Sequence, residues 1–303
     1  MRTVYLGTSP FAAAVLRALA ATPHRPRLVI TRPDRPRGRG RRLAAPPVAD
    51  AARELDLELA QPPSVNEPPA RERIAAASPD VLVVCAFGAL IKEPLLSDHE
   101  VLNVHPSLLP RWRGAAPIER AIMAGDARTG VSIMRLTAGL DTGPVALRGE
   151  EPIEPGDTYG TLSERLQELG ARLLIEALDA GPDGLRFEEQ PDEGATYAEK
   201  ITAGDRLLHP SAEPAGVLER RIRALNPHIG AALTLPDGAR LGVWDARARP
   251  GGPGDPAAGE LDLTRTPPVL GCAGPSALEL GEVQPAGGRR MDAAAWARGH
   301  APR

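Results

Sequence analysis

Apolar residues recur along this chain in two rhythms, and the rhythm changes near residue 185. In the first part, short apolar runs alternate with stretches whose apolar positions fall three and four residues apart. Residues 3–6 predict a strand, Gly7-Thr8-Ser9-Pro10 a tight turn, and residues 11–19 a helix. A second strand is predicted at 27–31, helices at 48–55 and 71–77, and a strand at 81–86. That last run is apolar almost throughout, as a central parallel strand buried on both faces must be. Strands at 101–105 and 131–136 flank a helix that starts near Pro117 and stops at Gly125. Residues 160–178 carry Leu162, Leu166, Leu169, Leu173 and Leu174 at helical spacing. The alternation predicts an α/β, doubly wound, Rossmann-like domain with a mostly parallel sheet.

Beyond residue 185 the pattern shortens. Residues 190–203 read as a linker and 217–225 as a helix. Short β-like runs follow at 232–235, 240–244, 269–272 and 277–280, with Gly and Pro between them, so a small OB-like β-barrel is expected. The Pro- and Gly-rich residues 249–259 are expected to form a long loop within it. The predicted organisation is a first domain over 1–190, a linker over 191–205 and a second domain over 206–303, which suits a chain of 303 residues.

Charge changes the picture only locally. The net charge is −3, so a nucleic-acid partner would have to be drawn by a patch and not by the whole molecule. One such patch stands out. Residues 32–42 hold six arginines against one acid, Asp34, with Pro33, Pro36, Gly38 and Gly40 expected to keep the segment out of regular structure. Lys92 and Lys200 are the only lysines, and the two cysteines, Cys85 and Cys272, are far apart and in no ligand-like spacing. Cys85 falls within an apolar run and reads as a buried small hydrophobe. No leader-like apolar segment and no stretch of membrane-spanning length is seen, so a cytoplasmic protein without a membrane partner is expected.

Two segments carry candidate chemistry. In Asn103-Val104-His105-Pro106, residues two apart on a strand face the same way, so Asn103 and His105 project together while Val104 enters the core. Pro106 cannot donate to a ladder and ends the strand, at the carboxyl edge where open α/β sheets bind ligands. An amide beside an imidazole suits a developing oxyanion, and each side chain also reads as a hydrogen-bonded core group. The second segment is Gly139-Leu140-Asp141-Thr142-Gly143. Glycines on both sides let the backbone bend closely around a ligand, and Asp141 could orient a histidine, although spacing alone favours a turn-stabilising aspartate.

The run from Asn103 through Ser107-Leu108-Leu109-Pro110-Arg111-Trp112-Arg113-Gly114 to Ile118, followed by Gly139–Gly143, resembles the signature of the 10-formyltetrahydrofolate-dependent formyltransferases. Similarity to the methionyl-tRNA branch extends to Pro33-Asp34-Arg35-Pro36, Thr196-Tyr197-Ala198 and Ile222-Arg223-Ala224-Leu225-Asn226-Pro227, and so spans nearly the whole chain. The resemblance implies a catalytic trio of Asn103, His105 and Asp141. It implies 10-formyltetrahydrofolate as co-substrate, with no metal, gripped near Phe87, Gly88, Leu90 and Ile91 and near Gly139 and Leu140, with Ser107, Leu108, Leu109 and Pro110 as another wall. It further implies that methionyl-initiator tRNA is the acceptor and partner, contacted by Arg39, Arg41 and Arg42 and assisted by the second domain, in a monomeric enzyme. A formyltransferase acting on a UDP-amino sugar is the nearest alternative. Three positions depart from the family pattern: Ser9 intervenes before Pro10, His209 stands where an Asp-Trp pair is common, and His228 follows Asn-Pro where relatives often have Trp.

Overall fold

The computed structural model describes residues 1–37 and 42–300. The chain divides into two units. The first comprises Met1–Pro117, Arg128–Pro152 and Ser163–Ala198. The second comprises Ile118–Ala127, Ile153–Leu162 and the described chain from Glu199 onward.

The first unit is organised by a seven-stranded sheet in the order Val145–Pro152, Arg128–Arg135, Val101–His105, Val81–Cys85, Thr3–Gly7, Leu28–Ile30 and Leu59–Ala60. The last five strands are parallel to one another, and the first two are antiparallel additions at one edge. Val81–Cys85 is buried at every position, as its unbroken apolar run predicts. Helices cover both faces. On one, Val4, Leu6, Leu82 and Val84 meet Ile74 and Leu95. On the other, the helix Tyr159–Gly184, interrupted at Gly181, brings Gly170 against Val104, Val131 and Phe11. The sheet is therefore doubly wound, as expected.

From the central strand Thr3–Gly7 the chain first builds outward to Leu28–Ile30 and Leu59–Ala60. It then crosses back to add Val81–Cys85 and Val101–His105 on the other side. The strand order thus reverses between Thr3–Gly7 and Val81–Cys85, and a crevice opens at the carboxyl ends of such a pair. Thr8 bridges this point, its hydroxyl donating to the Phe87 carbonyl at 2.8 Å. Ser9, one of the three residues that depart from the family pattern, accepts the Ala12 N–H at 3.2 Å and caps the helix Pro10–Ala20, with Pro10 in its first turn.

Sequence rhythm does not reveal the edge strands. Val145–Pro152 alternates charged, exposed positions with half-buried ones, which is how edge strands avoid further pairing and why the run lacks a strand's apolar signature. The arginine-rich segment is not wholly irregular either. Arg35–Arg37 pairs antiparallel with Arg42–Ala44, placing Pro36 opposite Leu43. A two-stranded ribbon has only edges, so Pro is tolerated there.

The second unit holds an antiparallel, curled half-barrel sheet in the order Ala231–Thr234, Arg240–Pro250, Ser276–Pro285, Val269–Cys272 and Leu261–Asp262, with Met291–Asp292 also paired to Ser276–Pro285. Register shifts around Asp245 bend the long strand Arg240–Pro250, which runs past the predicted end at residue 244. Leu218, Ile222 and Leu225 from the helix Ala215–Leu225 pack with Leu241, Val243, Leu278 and Leu280. The arginines of that helix are braces within the unit. Arg220 donates to the Met123 carbonyl, Arg221 pairs with Glu213, and Arg223 pairs with Glu219 and donates to the Asp157 carbonyl. His228 bonds Glu119 at 3.0 Å and stacks on Tyr159 at 3.7 Å between ring centroids.

Both cysteines are free and buried. Burial pushes the Cys85 thiol up to about 12 and the Cys272 thiol up to about 11, so neither is a ready thiolate nucleophile near neutral pH. Among the described residues no helix is long and apolar enough to cross a membrane.

Candidate active site

Strand alternation delivers Asn103 and His105 to one face of Val101–His105, both nearly buried. They meet a third side chain there. One carboxylate oxygen of Asp141 accepts the Asn103 amide at 3.4 Å, and the other lies 3.6 Å from Nδ1 of His105. The second separation is an electrostatic approach and not a hydrogen bond. That second oxygen also accepts the Gly114 backbone N–H at 2.8 Å. The sequence-predicted trio is therefore one cluster, built from residues separated by 38 positions at most.

The imidazole is oriented from its other side. Nε2 of His105 stands 2.9 Å from the Trp112 carbonyl. A carbonyl only accepts, so Nε2 carries the hydrogen in that contact. Nδ1 is then the ring nitrogen that faces Asp141 and can exchange a proton there. Three residues around the cluster have left-handed backbone: Trp112 at φ 63°, Gly114 at φ 116° and Asp141 at φ 49°. Two of the three are not glycine, and strain of that kind gathers at functional sites.

Two of the expected co-substrate walls, residues 87–91 and 107–110, follow the carboxyl ends of Val81–Cys85 and Val101–His105. Phe87 and Ile91 point inward and join the cluster containing Val84 and Leu95, so this segment offers backbone more than side chain. Its carbonyls are held by Thr8 at Phe87, by Arg32 at Gly88 (2.8 Å) and by Asn66 at Leu90 (2.8 Å). Within these walls the large apolar side chains of Leu90 and Leu140 stay exposed, at 71% and 58%. Ser107 is fully buried and donates to the Arg111 carbonyl, while Ser132 donates to the Ser107 carbonyl at 2.7 Å and accepts from the Leu109 N–H at 3.2 Å. Leu109 itself packs with Met134 and Val145, and Leu108 and Pro110 are half-buried. Gly139 has a side-chain hydroxyl, Thr142, where a Cβ would stand.

Several residues that organise this site lie outside the sequence-predicted set. Ser132 falls within the strand predicted at 131–136, and no element is predicted at Asn66. The stretch expected to link the domains runs beside the trio: Tyr197–Ala198 pairs with Arg113–Gly114, and the Thr196 hydroxyl accepts the Trp112 N–H at 2.9 Å. The Thr196-Tyr197-Ala198 motif, part of the family resemblance, is the sequence signal of this. Arg39 and Arg41 lie outside the described residues, and Arg42 begins the strand Arg42–Ala44. Among the described residues no group of His, Cys, Asp and Glu side chains is arranged to hold a metal ion.

An amide, an imidazole and a carboxylate converging at the carboxyl edge of a doubly wound sheet define an enzyme of the acyl-transfer type, with groups for an oxyanion and a mobile proton. Comparison with known proteins makes the class specific. Residues 1–178 match the formyl transferase family and residues 200–301 the formyl transferase C-terminal domain, and the chain belongs to the formyl transferase family. It is 43% identical to the methionyl-tRNA formyltransferases of Thiobacillus denitrificans and Methylococcus capsulatus, over 99% of this chain and 97% of each relative. The N-formyltransferase from Helicobacter canadensis, solved with folinic acid and dTDP-3-aminofucose, superposes with a TM-score of 0.67 at 13% identity, covering 92% of this chain and 98% of that one. HypX from Aquifex aeolicus, solved with tetrahydrofolic acid, gives 0.64 at 16% identity over 98% of this chain and 46% of that one. At such identities the solved structures show a shared fold.

Proposed function

We propose that this chain transfers the formyl group of 10-formyltetrahydrofolate to the free amine of methionyl-initiator tRNA. The observation that carries the chemistry is the convergence of Asn103 and His105 on the Asp141 carboxylate. Identity of 43% over nearly the full length of relatives bearing that activity supports the acceptor.

The amine nitrogen attacks the formyl carbon, forming a C–N bond and leaving a negative oxygen and a positive nitrogen. Asn103 Nδ2 and a protonated His105 Nδ1 donate to the oxygen. Loss of one such donor costs about a hundred- to a thousandfold in rate. Asp141 takes the proton from the attacking nitrogen, directly or through water; the oxyanion then re-forms the carbonyl, the bond from the formyl carbon to N10 breaks, and the same proton passes to N10. The products are N-formylmethionyl-tRNA and tetrahydrofolate. Backbone at Phe87, Gly88, Leu90 and Ile91 and at Gly139 and Leu140 holds the folate, with Ser107–Pro110 as the facing wall. Arg39, Arg41 and Arg42 contact tRNA phosphates, and the second unit assists from its antiparallel sheet. The enzyme acts as a cytoplasmic monomer.

The test is formyl transfer measured with methionyl-tRNA, with a UDP-amino sugar and with buffer alone. Transfer to methionyl-tRNA is the expected result. Transfer only to the sugar overturns the acceptor, and release of formate in buffer at the same rate overturns the transferase reading.

A further inference from the structure

Gln190 sits where the helix Tyr159–Gly184 has ended and the segment toward Tyr197–Ala198 begins, a position that sequence patterning gives no role. Its carboxamide is fully employed. Nε2 donates to the carbonyl oxygens of Asp141 at 2.8 Å and Gly143 at 2.7 Å. Oε1 accepts from Nε of Arg113 at 3.0 Å. Arg113 is a buried side chain, 4% exposed, and directly precedes Gly114, whose N–H holds the Asp141 carboxylate.

This pattern needs an amide. Two donors and an acceptor on one planar group match two carbonyls and a guanidinium; a carboxylate offers no donor, and an ammonium no acceptor. The loop it grips has little freedom of its own. Asp141 is left-handed at φ 49°, and a Cβ on Gly143 would lie 2.0 Å from the Arg135 carbonyl oxygen. Gln190 therefore ties together the two backbone segments that aim the Asp141 carboxylate: the loop that carries it and the turn that binds it.

We propose that Gln190 is a positioning residue for the formyl transfer, acting through Asp141 without touching either substrate. The inference rests on the reading of Asp141 as the group that handles the amine's proton. With the carbonyls of residues 141 and 143 released, the carboxylate turns away from Asn103, His105 and Gly114, and proton removal slows while substrate binding is kept.

The experiment compares wild type with Gln190→Glu, Gln190→Ala, Asp141→Asn and the Gln190→Ala/Asp141→Asn double variant, in steady-state kinetics and thermal unfolding. Gln190→Glu nearly preserves shape and keeps the acceptor for Arg113, but sets an oxygen against two carbonyl oxygens. Both Gln190 variants should lose about tenfold to a hundredfold in kcat, the scale of a small misplacement of a catalytic group. KM for the folate and for methionyl-tRNA should hardly move. In the Asp141→Asn background the Gln190→Ala loss should vanish, because both act through one carboxylate. Wild-type kcat in both Gln190 variants, beside a crippled Asp141→Asn, overturns the inference and spares the reading beneath it. Near-normal turnover in Asp141→Asn removes that reading instead. Losses that multiply in the double variant, or KM and melting temperature shifting together with kcat, assign Gln190 a merely structural role and likewise overturn it.

Discussion

Asp141 and Gly114 are joined by a 2.8 Å hydrogen bond from the glycine N–H to the aspartate carboxylate, across 27 residues of sequence. The same carboxylate reaches Asn103 and His105, so one side chain pins the end of a central strand, a tight turn and a glycine-flanked loop to each other. Both partners of that bond have left-handed backbone, at φ 49° and φ 116°. The site is held by conformations that most residues avoid, and that makes its parts separable by mutation.

Asp141→Asn keeps the shape of the side chain and removes its charge. Turnover is expected to fall by about a hundredfold or more, the scale of lost general acid–base catalysis. Affinity for a folate analogue, measured by fluorescence or calorimetry, should change far less. Near wild-type transfer by this variant would remove Asp141 from the mechanism.

Gly114→Ala tests the turn. At φ 116° a side chain is strained, and the added Cβ would stand 2.8 Å from the Ala198 carbonyl oxygen. Destabilisation of about 1–3 kcal/mol is expected from such backbone strain, read by urea unfolding. A drop in kcat should accompany it, because the Gly114 N–H can no longer meet Asp141. A stable, fully active Gly114→Ala protein would show that this hydrogen bond does not govern the carboxylate.

The arginine-rich segment separates the tRNA reading from the amino-sugar alternative. Replacing Arg39, Arg41 and Arg42 with Ala should raise KM for methionyl-tRNA and lower its turnover. For every phosphate left without its arginine, the log–log salt dependence should flatten by about 0.7–0.9. Folate-analogue affinity should be unaffected. Unchanged tRNA kinetics and salt slope in the triple variant would take the segment out of the tRNA site.

A pH dependence follows from the second unit. Asp205 accepts two hydrogen bonds from Arg120, at 2.7 and 3.3 Å, and that guanidinium chiefly holds its carboxyl far below the usual range. Because the folded value is depressed, the contribution is complete above the unfolded carboxyl value of about 4. It is lost as pH falls from there through the folded value. Wild type should therefore exceed Asp205→Asn in unfolding free energy by a constant margin near neutrality, and the margin should shrink below pH ~4. A margin independent of pH in acid would mean that the ion pair contributes nothing to folding.

Neighbours along the chain are enough to set part of this fold. A run such as Val81–Cys85 has one stable use, between two covered faces, and alternation in Val101–His105 decides that Asn103 and His105 share a side. A proline at 106 decides where that strand stops. The match of Asp141 to a family motif named the third member, although its local setting read as a plain turn. Packing between distant segments sets what local pattern does not encode. Edge strands such as Leu59–Ala60 and Val145–Pro152 exist because a sheet already stands beside them. The carboxylate of Asp141 has a direction only because Gly114 and Asn103 receive it, and the loop bearing it is gripped by Gln190 from 49 residues away. Periodicity reports which way a residue faces within its own element; hydrogen bonds between loops depend on where distant elements deliver the chain, and that is set only when the core packs.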